Sequence, residues 1–204
     1  MEYRELNENR RSVNFFDPDV SITVEEIEAI YEQAKLAPSS FNFQPLKIVL
    51  ALSQEIREKL REAANGQPKV TEASAVLVLF GNTRQYLESE EIFIDRIDKG
   101  YMKKEELPMY LEMAKSLYEG KEIGFVSRNA GIFAMNFMLA ALDNGWDTHP
   151  MDGFNIEAVQ ELFGLDSKYY PVMLIAIGKK KPGLRLFPRC KRKNFEDVFV
   201  MLQL

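Results

Sequence analysis

Near the start of the chain, Arg10-Arg11-Ser12-Val13-Asn14-Phe15-Phe16 sets two guanidinium groups beside a hydroxyl and an amide. Guanidinium forks match phosphate oxygens with paired hydrogen bonds, and a serine hydroxyl adds a further donor. The cluster is therefore a phosphate site or a solvated surface pair. A second donor-rich stretch, Pro38-Ser39-Ser40-Phe41-Asn42-Phe43-Gln44-Pro45, follows about thirty residues later. Helix capping and turn formation account for any one of its polar residues, but not for the whole ordered set. His149, before Pro150, reads as a loop residue with a structural or solvent-facing role, the other possibility being that it lines a cofactor pocket. Cys190 sits between Arg189 and Lys191, where neighbouring cations can lower a thiol pKa. An incidental cysteine in a basic surface segment is the plainer reading.

Other chemistries are missing. His149 is the only histidine, which excludes a metal site built from several, and there is no H-E-x-x-H or paired C-x-x-C element. A serine triad lacks its G-x-S-x-G elbow. The dinucleotide G-x-G-x-x-G and the phosphate loop G-x-x-x-x-G-K-[ST] are absent too. An enzyme without these clusters relies on a bound cofactor, with the protein supplying binding, orientation and electronic tuning.

The elements that must position these residues are legible from pattern. Thr23 and Glu26 have the spacing of a capping box, and Ile27, Ile30, Tyr31 and Ala34 fall on one face, predicting a helix from about Val24 to Leu36. Pro38 ends it, and the segment to Pro45 is an ordered loop or short extended piece. Runs 47–52, 75–80 and 171–177 are continuously apolar, the pattern of strands covered on both faces, and 197–202 reads as a fourth strand. Ser53 caps a helix carrying Ile56, Leu60 and Ala63, which Asn65-Gly66 ends. Residues 88–119 are charged and helical in pattern, broken at Gly100 and Pro108, and read as a peripheral helical excursion. Ser127 to Asn144 is a helix apolar on nearly every side, hence buried in the core or a subunit interface. Asn155 caps a short helix ending at Gly164. This order describes an α+β (α/β sandwich) fold with a central mixed sheet flanked by helices.

The 204 residues, 46% hydrophobic, form one core and one domain. A net charge of -5, from 31 acidic and 26 basic side chains, gives no general attraction for nucleic acid or an anionic membrane. The first residues have neither a signal-peptide core nor transit-peptide character, and the longest apolar stretch, 132–142, falls short of the roughly 20 residues that span a bilayer. A cytoplasmic protein without a transmembrane segment is expected. A lone cysteine allows no internal disulfide, which fits a reducing compartment.

Taken in order, Arg10-Arg11-Ser12 before Phe16, an acid-rich helix, and Ala37 to Pro45 leading into a strand resemble the N-terminal signature of the nitroreductase family. Gln67-Pro68-Lys69-Val70 before the second strand is similar to that family's second flavin-contacting segment. Asn144 to Phe154 resembles the loop after its long central helix, and Lys191-Arg192-Lys193 completes the set. Only residues 88–119 carry no motif.

The resemblance implies an intertwined homodimer that holds FMN at its interface. By that analogy the phosphate falls to Arg10, Ser12 and Arg192, with Arg11 and Lys191 beside them. The flavin's pyrimidine edge falls to Asn14, Gln67 and Lys69, which offer an acceptor for N3–H and donors for the carbonyls. A lysine near N1 and O2 would also stabilise the anionic reduced form. Pro150, Met151, Asp152 and Gly153 would approach the ring, glycine permitting close contact. Pro38, Ser39, Ser40 and Asn42 would reach the cofactor from the other subunit. The implied activity is a ping-pong reaction in which NADPH or NADH passes hydride to the flavin and a nitroaromatic, quinone or similar small acceptor then takes its place. No side-chain acid or base is required. The alternatives are a non-catalytic flavin-binding or interaction protein, or a variant such as an enoate reductase or dehalogenase. Three departures, Asn14 for a cation, Asp152 for Gly or Glu and Asn194 for proline, bear on potential and acceptor more than on binding.

Overall fold

A computed structural model describes residues 2–202. The chain runs α1 (Tyr3–Asn9), α2 (Val24–Ala34), β1 (Leu46–Ala51), α3 (Gln54–Ala63), α4 (Lys69–Glu72), β2 (Ala75–Asn82), α5 (Glu90–Asp98), α6 (Leu107–Tyr118), α7 (Glu122–Asp143), β3 (Asp147–Met151), α8 (Ile156–Phe163), β4 (Tyr169–Gly178) and α9 (Phe195–Val198). The expected caps are present: Thr23 Oγ1 accepts from Glu26 N while Glu26 closes the box, Ser53 caps α3, Asn155 caps α8, and Gly164 ends α8 in the left-handed conformation.

The strands form one sheet in the order β1-β2-β4-β3. Every pairing of these strands is antiparallel, and the one parallel contact among the described residues is an isolated bridge between Ser12 and Thr148 at the β3 edge. The mixed sheet expected from the sequence is thus antiparallel in its strands. Continuous apolar runs report that both faces are covered, not which way the strands run. On one face, Ala75, Leu77, Leu79, Ile175 and Ile177 pack against α2 and α7. On the other, Val76, Val78, Phe80, Leu174 and Ala176 meet Leu60, Val70 and Val159 of α3, α4 and α8.

Three further local expectations change. Residues 147–151, including His149, are an edge strand rather than a loop, and an edge tolerates Pro150 because its missing donor breaks no internal ladder. Residues 197–202 do not form a strand within the chain. Asn194 and Asp197 make a capping box that opens the short α9, and Phe199 to Leu202 are exposed. A strand needs a neighbour for its backbone groups, and the tail has none among the described residues of its own chain. Finally, Gly100 separates α5 from a 3-10 turn, but Pro108 lies in the first turn of α6, where its lost donor costs no helical bond.

Under α5 and α6 lies an aromatic cluster of Phe43, Tyr86, Phe93 and Phe125, with Phe41, Tyr110 and Tyr118 against it. Helix α7 extends beyond the expected start, to Glu122. Its length and apolarity would suit a membrane span, but more than half of that stretch is buried inside the protein. The apolar surface is spent on the core.

Gly81, within β2, allows α7 to sit directly on the sheet. A Cβ there would overlap Val126 Cβ and lie 2.7 and 2.9 Å from its two methyl carbons. Because the contact is strand against β-branched side chain, relief requires moving α7. Gly81→Ala should destabilise the protein by about 2–3 kcal/mol. A lowered urea midpoint at unchanged m checks this, and an unshifted midpoint refutes the packing argument.

Candidate functional site

The N-terminal segment is fixed to the free edge of β3. Val13 N donates to Thr148 O at 3.1 Å, and the Val13 carbonyl lies 2.9 Å from His149 Nδ1. A carbonyl only accepts, so Nδ1 carries the proton. The neutral ring then has a lone pair on Nε2, which faces Lys69 Nζ at 3.4 Å. Burial, then the charge of Lys69, hold the imidazole below its ordinary pKa, opposed by the bond to Val13. Burial likewise lowers Lys69.

Lys69 opens α4, and its ammonium also reaches Gln67 Oε1 at 3.4 Å. Gln67 Nε2 donates to Gly153 O at 2.8 Å, and Asn65 Nδ2 to the same carbonyl at 3.1 Å. The segments around Val13, Lys69, His149 and Gly153 thus form one continuous polar chain.

The basic tail closes this assembly from outside. Arg189 Nη2 lies 2.9 Å from Asn7 O, 2.9 Å from Glu8 O and 2.7 Å from Arg10 O, binding the carbonyls at the end of α1. Arg11 Nη2 donates to Phe187 O at 2.6 Å. The pKa of Arg10 is lowered by burial first, and then by Arg189, Arg11 and Arg192. Three guanidinium groups thus bear on Arg10, an arrangement suited to an anion. Ser12 and Asn14 are exposed on the same segment, and Lys191 is exposed beside Arg192.

The donor-rich loop is built separately. Phe41, Asn42 and Gln44 have φ of 52°, 63° and 46°, a left-handed conformation that non-glycine residues adopt at some cost. Gln44 N donates to Ser39 Oγ at 3.0 Å, Ser40 N to Asn129 Oδ1 at 2.8 Å, and Arg96 Nη2 to Phe41 O at 2.6 Å. The Arg96 guanidinium also lies 5.9 Å from the Phe41 ring centroid and 5.4 Å from that of Phe93. Pro38 and Ser39, with Ile27, Tyr31, Asn129 and Phe133, line a cavity of about 370 Å³ on the α2/α7 side.

One chain therefore gathers Arg10, Arg11, Ser12, Asn14, Gln67, Lys69, Asp152, Gly153 and Arg192, but not the loop residues. His149 pairs with Ala176, which pairs with Val76, so it projects to the α3/α4/α8 face, opposite the cavity. Met151 differs from expectation: it is 5% exposed and packs with Leu174 in the core, so its side chain is structural. Pro150 pairs with Ile175 and turns the other way. Sequence reading missed Arg189, Arg96 and Asn129. The basic context of Arg189 was visible, whereas the two that hold the loop are far from it in sequence.

Comparison with known proteins identifies the family. A family model, the Nitroreductase family, matches residues 8–179. The chain belongs to the nitroreductase family. It is an oxidoreductase. MhqN of Bacillus subtilis, named as an NAD(P)H nitroreductase, is 40% identical over 200 residues, covering 96% of this chain and 97% of that protein. The crystal structure of a Bacillus subtilis nitroreductase, ydfN, has a TM-score of 0.91 at 38% identity, covering 98% of this chain and 99% of the other. A nitroreductase from Exiguobacterium sibiricum, solved in complex with FMN, has a TM-score of 0.85 at 30% identity, covering 98% and 97%. The match to the nitroreductase family stops before the tail that carries Arg189 and Arg192.

Two outcomes follow from the geometry. Arg96→Met should release the Phe41 carbonyl, removing a charged bond of about 1.5–3 kcal/mol, and hydrogen exchange should speed about tenfold or more at residues 40–46; unchanged exchange there contradicts the bracing role. His149 titrates below its unfolded value of 6.5, so the unfolded chain binds more protons between the two pKa values. Its contribution to stability is present above about pH 6.5 and lost as the pH falls through the folded value. Urea titrations across that range should show this slope in wild type and lose it in His149→Gln.

Proposed function

We propose that this protein is an FMN-dependent oxidoreductase using NADPH or NADH to reduce a nitroaromatic, quinone or similar small acceptor by a ping-pong mechanism, as one domain in a homodimer. The observation that carries the reading is the crowding of Arg10 by Arg11, Arg189 and Arg192, on a segment that Val13 and His149 join to the Lys69–Gln67–Gly153 chain. A cationic end beside a row of amide, ammonium and backbone groups suits the chemistry of a flavin mononucleotide, whose phosphate is dianionic and whose ring edge alternates donors and acceptors.

In this reading Arg10, Ser12 and Arg192 hold the phosphate, with Arg11 and Lys191 adding positive field. Asn14, Gln67 and Lys69 take the polar ring edge, and the Asp152-Gly153 backbone lies against the ring together with the chain at Pro150 and Met151. FMN held by these residues would supply the redox chemistry, hydride transfer between nicotinamide and acceptor. The protein's contribution is to orient the reactants and to place the positive charge of Lys69 near the ring carbonyls, which favours the reduced form.

The dimer accounts for what one chain leaves apart. Pro38, Ser39, Ser40 and Asn42 lie toward the face opposite Lys69, so they reach the same cofactor only from a second subunit. Support comes from the open edge of β1 and from Phe199 to Leu202, an apolar tail with Val200 86% exposed. The acidic net charge argues against nucleic-acid and membrane partners, and the absence of signal- or transit-peptide character in the first residues fits a cytoplasmic location.

Purified protein should be yellow and bleach anaerobically with NADPH or NADH. Arg10→Glu should lose FMN while remaining folded and dimeric. A colourless protein that gains no visible absorbance with added FMN would sink the cofactor assignment; a yellow protein that neither nicotinamide bleaches would favour a non-catalytic flavin-binding role.

A further inference from the structure

We propose that His149 is a positioning residue for Lys69: its neutral imidazole, fixed by Val13, presents Nε2 as the acceptor that orients the Lys69 ammonium. The inference rests on the FMN reading only for what Lys69 faces; the hydrogen-bond relay itself is independent of it.

Three contacts converge. The 2.9 Å contact with Val13 O requires a proton on Nδ1, the less common tautomer of a free neutral imidazole, and leaves Nε2 able only to accept. Lys69 Nζ stands 3.4 Å from that nitrogen, and an ammonium can only donate. A charged imidazole would direct an N–H at the ammonium, so the arrangement selects the neutral ring. Gln67 Oε1, 3.4 Å from Nζ, is the second acceptor. A lysine has three ammonium protons on a flexible four-carbon stem and is by itself poorly directed. Two fixed acceptors remove most of that freedom and leave the third proton for a ligand.

Topology explains why a histidine serves here. Val13 and His149 lie on neighbouring extended segments, and His149 and Ala176 share the sheet face that packs on α4. The ring spans from the N-terminal segment to the first residue of α4. Asparagine would reach Val13 in the manner of Nδ1 but stop short of Lys69, whereas glutamine places an oxygen near the position of Nε2. The two amides therefore separate the role of holding Val13 from that of directing Lys69.

His149 is the sole histidine, so a histidine-selective ¹⁵N label reports on it without assignment. In FMN-free protein at neutral pH, Nδ1 should be protonated and Nε2 not, and the Nε2 resonance should move in Lys69→Met. For FMN binding measured by flavin fluorescence, His149→Phe and His149→Asn should each raise Kd about fivefold, and His149→Gln less than twofold. In a Lys69→Met background, His149→Phe should change Kd less than twofold, because the interaction it removes is already gone. A proton on Nε2, full rescue by His149→Asn, or an undiminished His149→Phe effect without Lys69 would overturn the assignment. Wild-type protein that binds no FMN defeats the cofactor reading instead, and the tautomer with its response to Lys69→Met still decides the relay.

Discussion

Both backbone groups of Val13 are engaged by β3, the N–H by Thr148 and the carbonyl by His149. This attachment converts an extended N-terminal piece into part of the sheet edge, and much of the polar architecture depends on it. It places Arg10 to Ser12 at a fixed height along β3 and offers the end of α1 to Arg189. It also sets the tautomer of the imidazole that faces Lys69. The side chain of Val13 is itself fully buried, so hydrophobic contact and backbone pairing hold the segment together. A valine with no chemistry of its own thus aligns the residues that have some.

The covered sheet imposes the second constraint. With β2 buried along its whole length, helices must occupy both faces, and polar groups collect only at edges and corners. The basic and amide groups emerge beside β3, α4 and the tail. The Pro38 to Pro45 loop emerges beside α2 and α7, where its left-handed backbone is held by Arg96 from α5 and Asn129 from α7. Residues 88–119 therefore have a structural connection to the loop. The aromatic cluster beneath α5 and α6 anchors Phe41 and Phe43, which are stacked at 5.2 Å between centroids.

Local signals in the sequence were legible wherever one short-range rule decided the outcome. Thr23 with Glu26, Ser53, Asn155 and Gly164 mark helix ends through bonds that span a few residues, and they lie where the pattern places them. Strands 46–51, 75–82 and 169–178 were visible as apolar runs. Strand direction was not, since burial on both faces produces the same composition in either sense. The run at 197–202 illustrates the converse: its first two residues close the short α9, and Phe199 to Leu202, without a neighbouring strand, are exposed. At the site, the basic pair and the Gln67–Lys69 segment were recognisable as motifs. His149 was read as a loop residue because Pro150 hid an edge strand. Arg96 and Asn129 act across 55 and 89 residues, a separation no local rule spans.

Arg10 is crowded by Arg11, Arg189 and Arg192. These side chains sit on the two ends of the polypeptide, pressed together by the grip of Arg189 on the α1 carbonyls, so the ends are joined by hydrogen bonds and pushed apart by charge. Mobile ions screen the repulsion of exposed groups far more than they weaken the short bonds. The closure of the two termini is consequently sensitive to ionic strength, tightening as salt rises. An anion seated among these guanidinium groups would draw part of its affinity from relieving that repulsion.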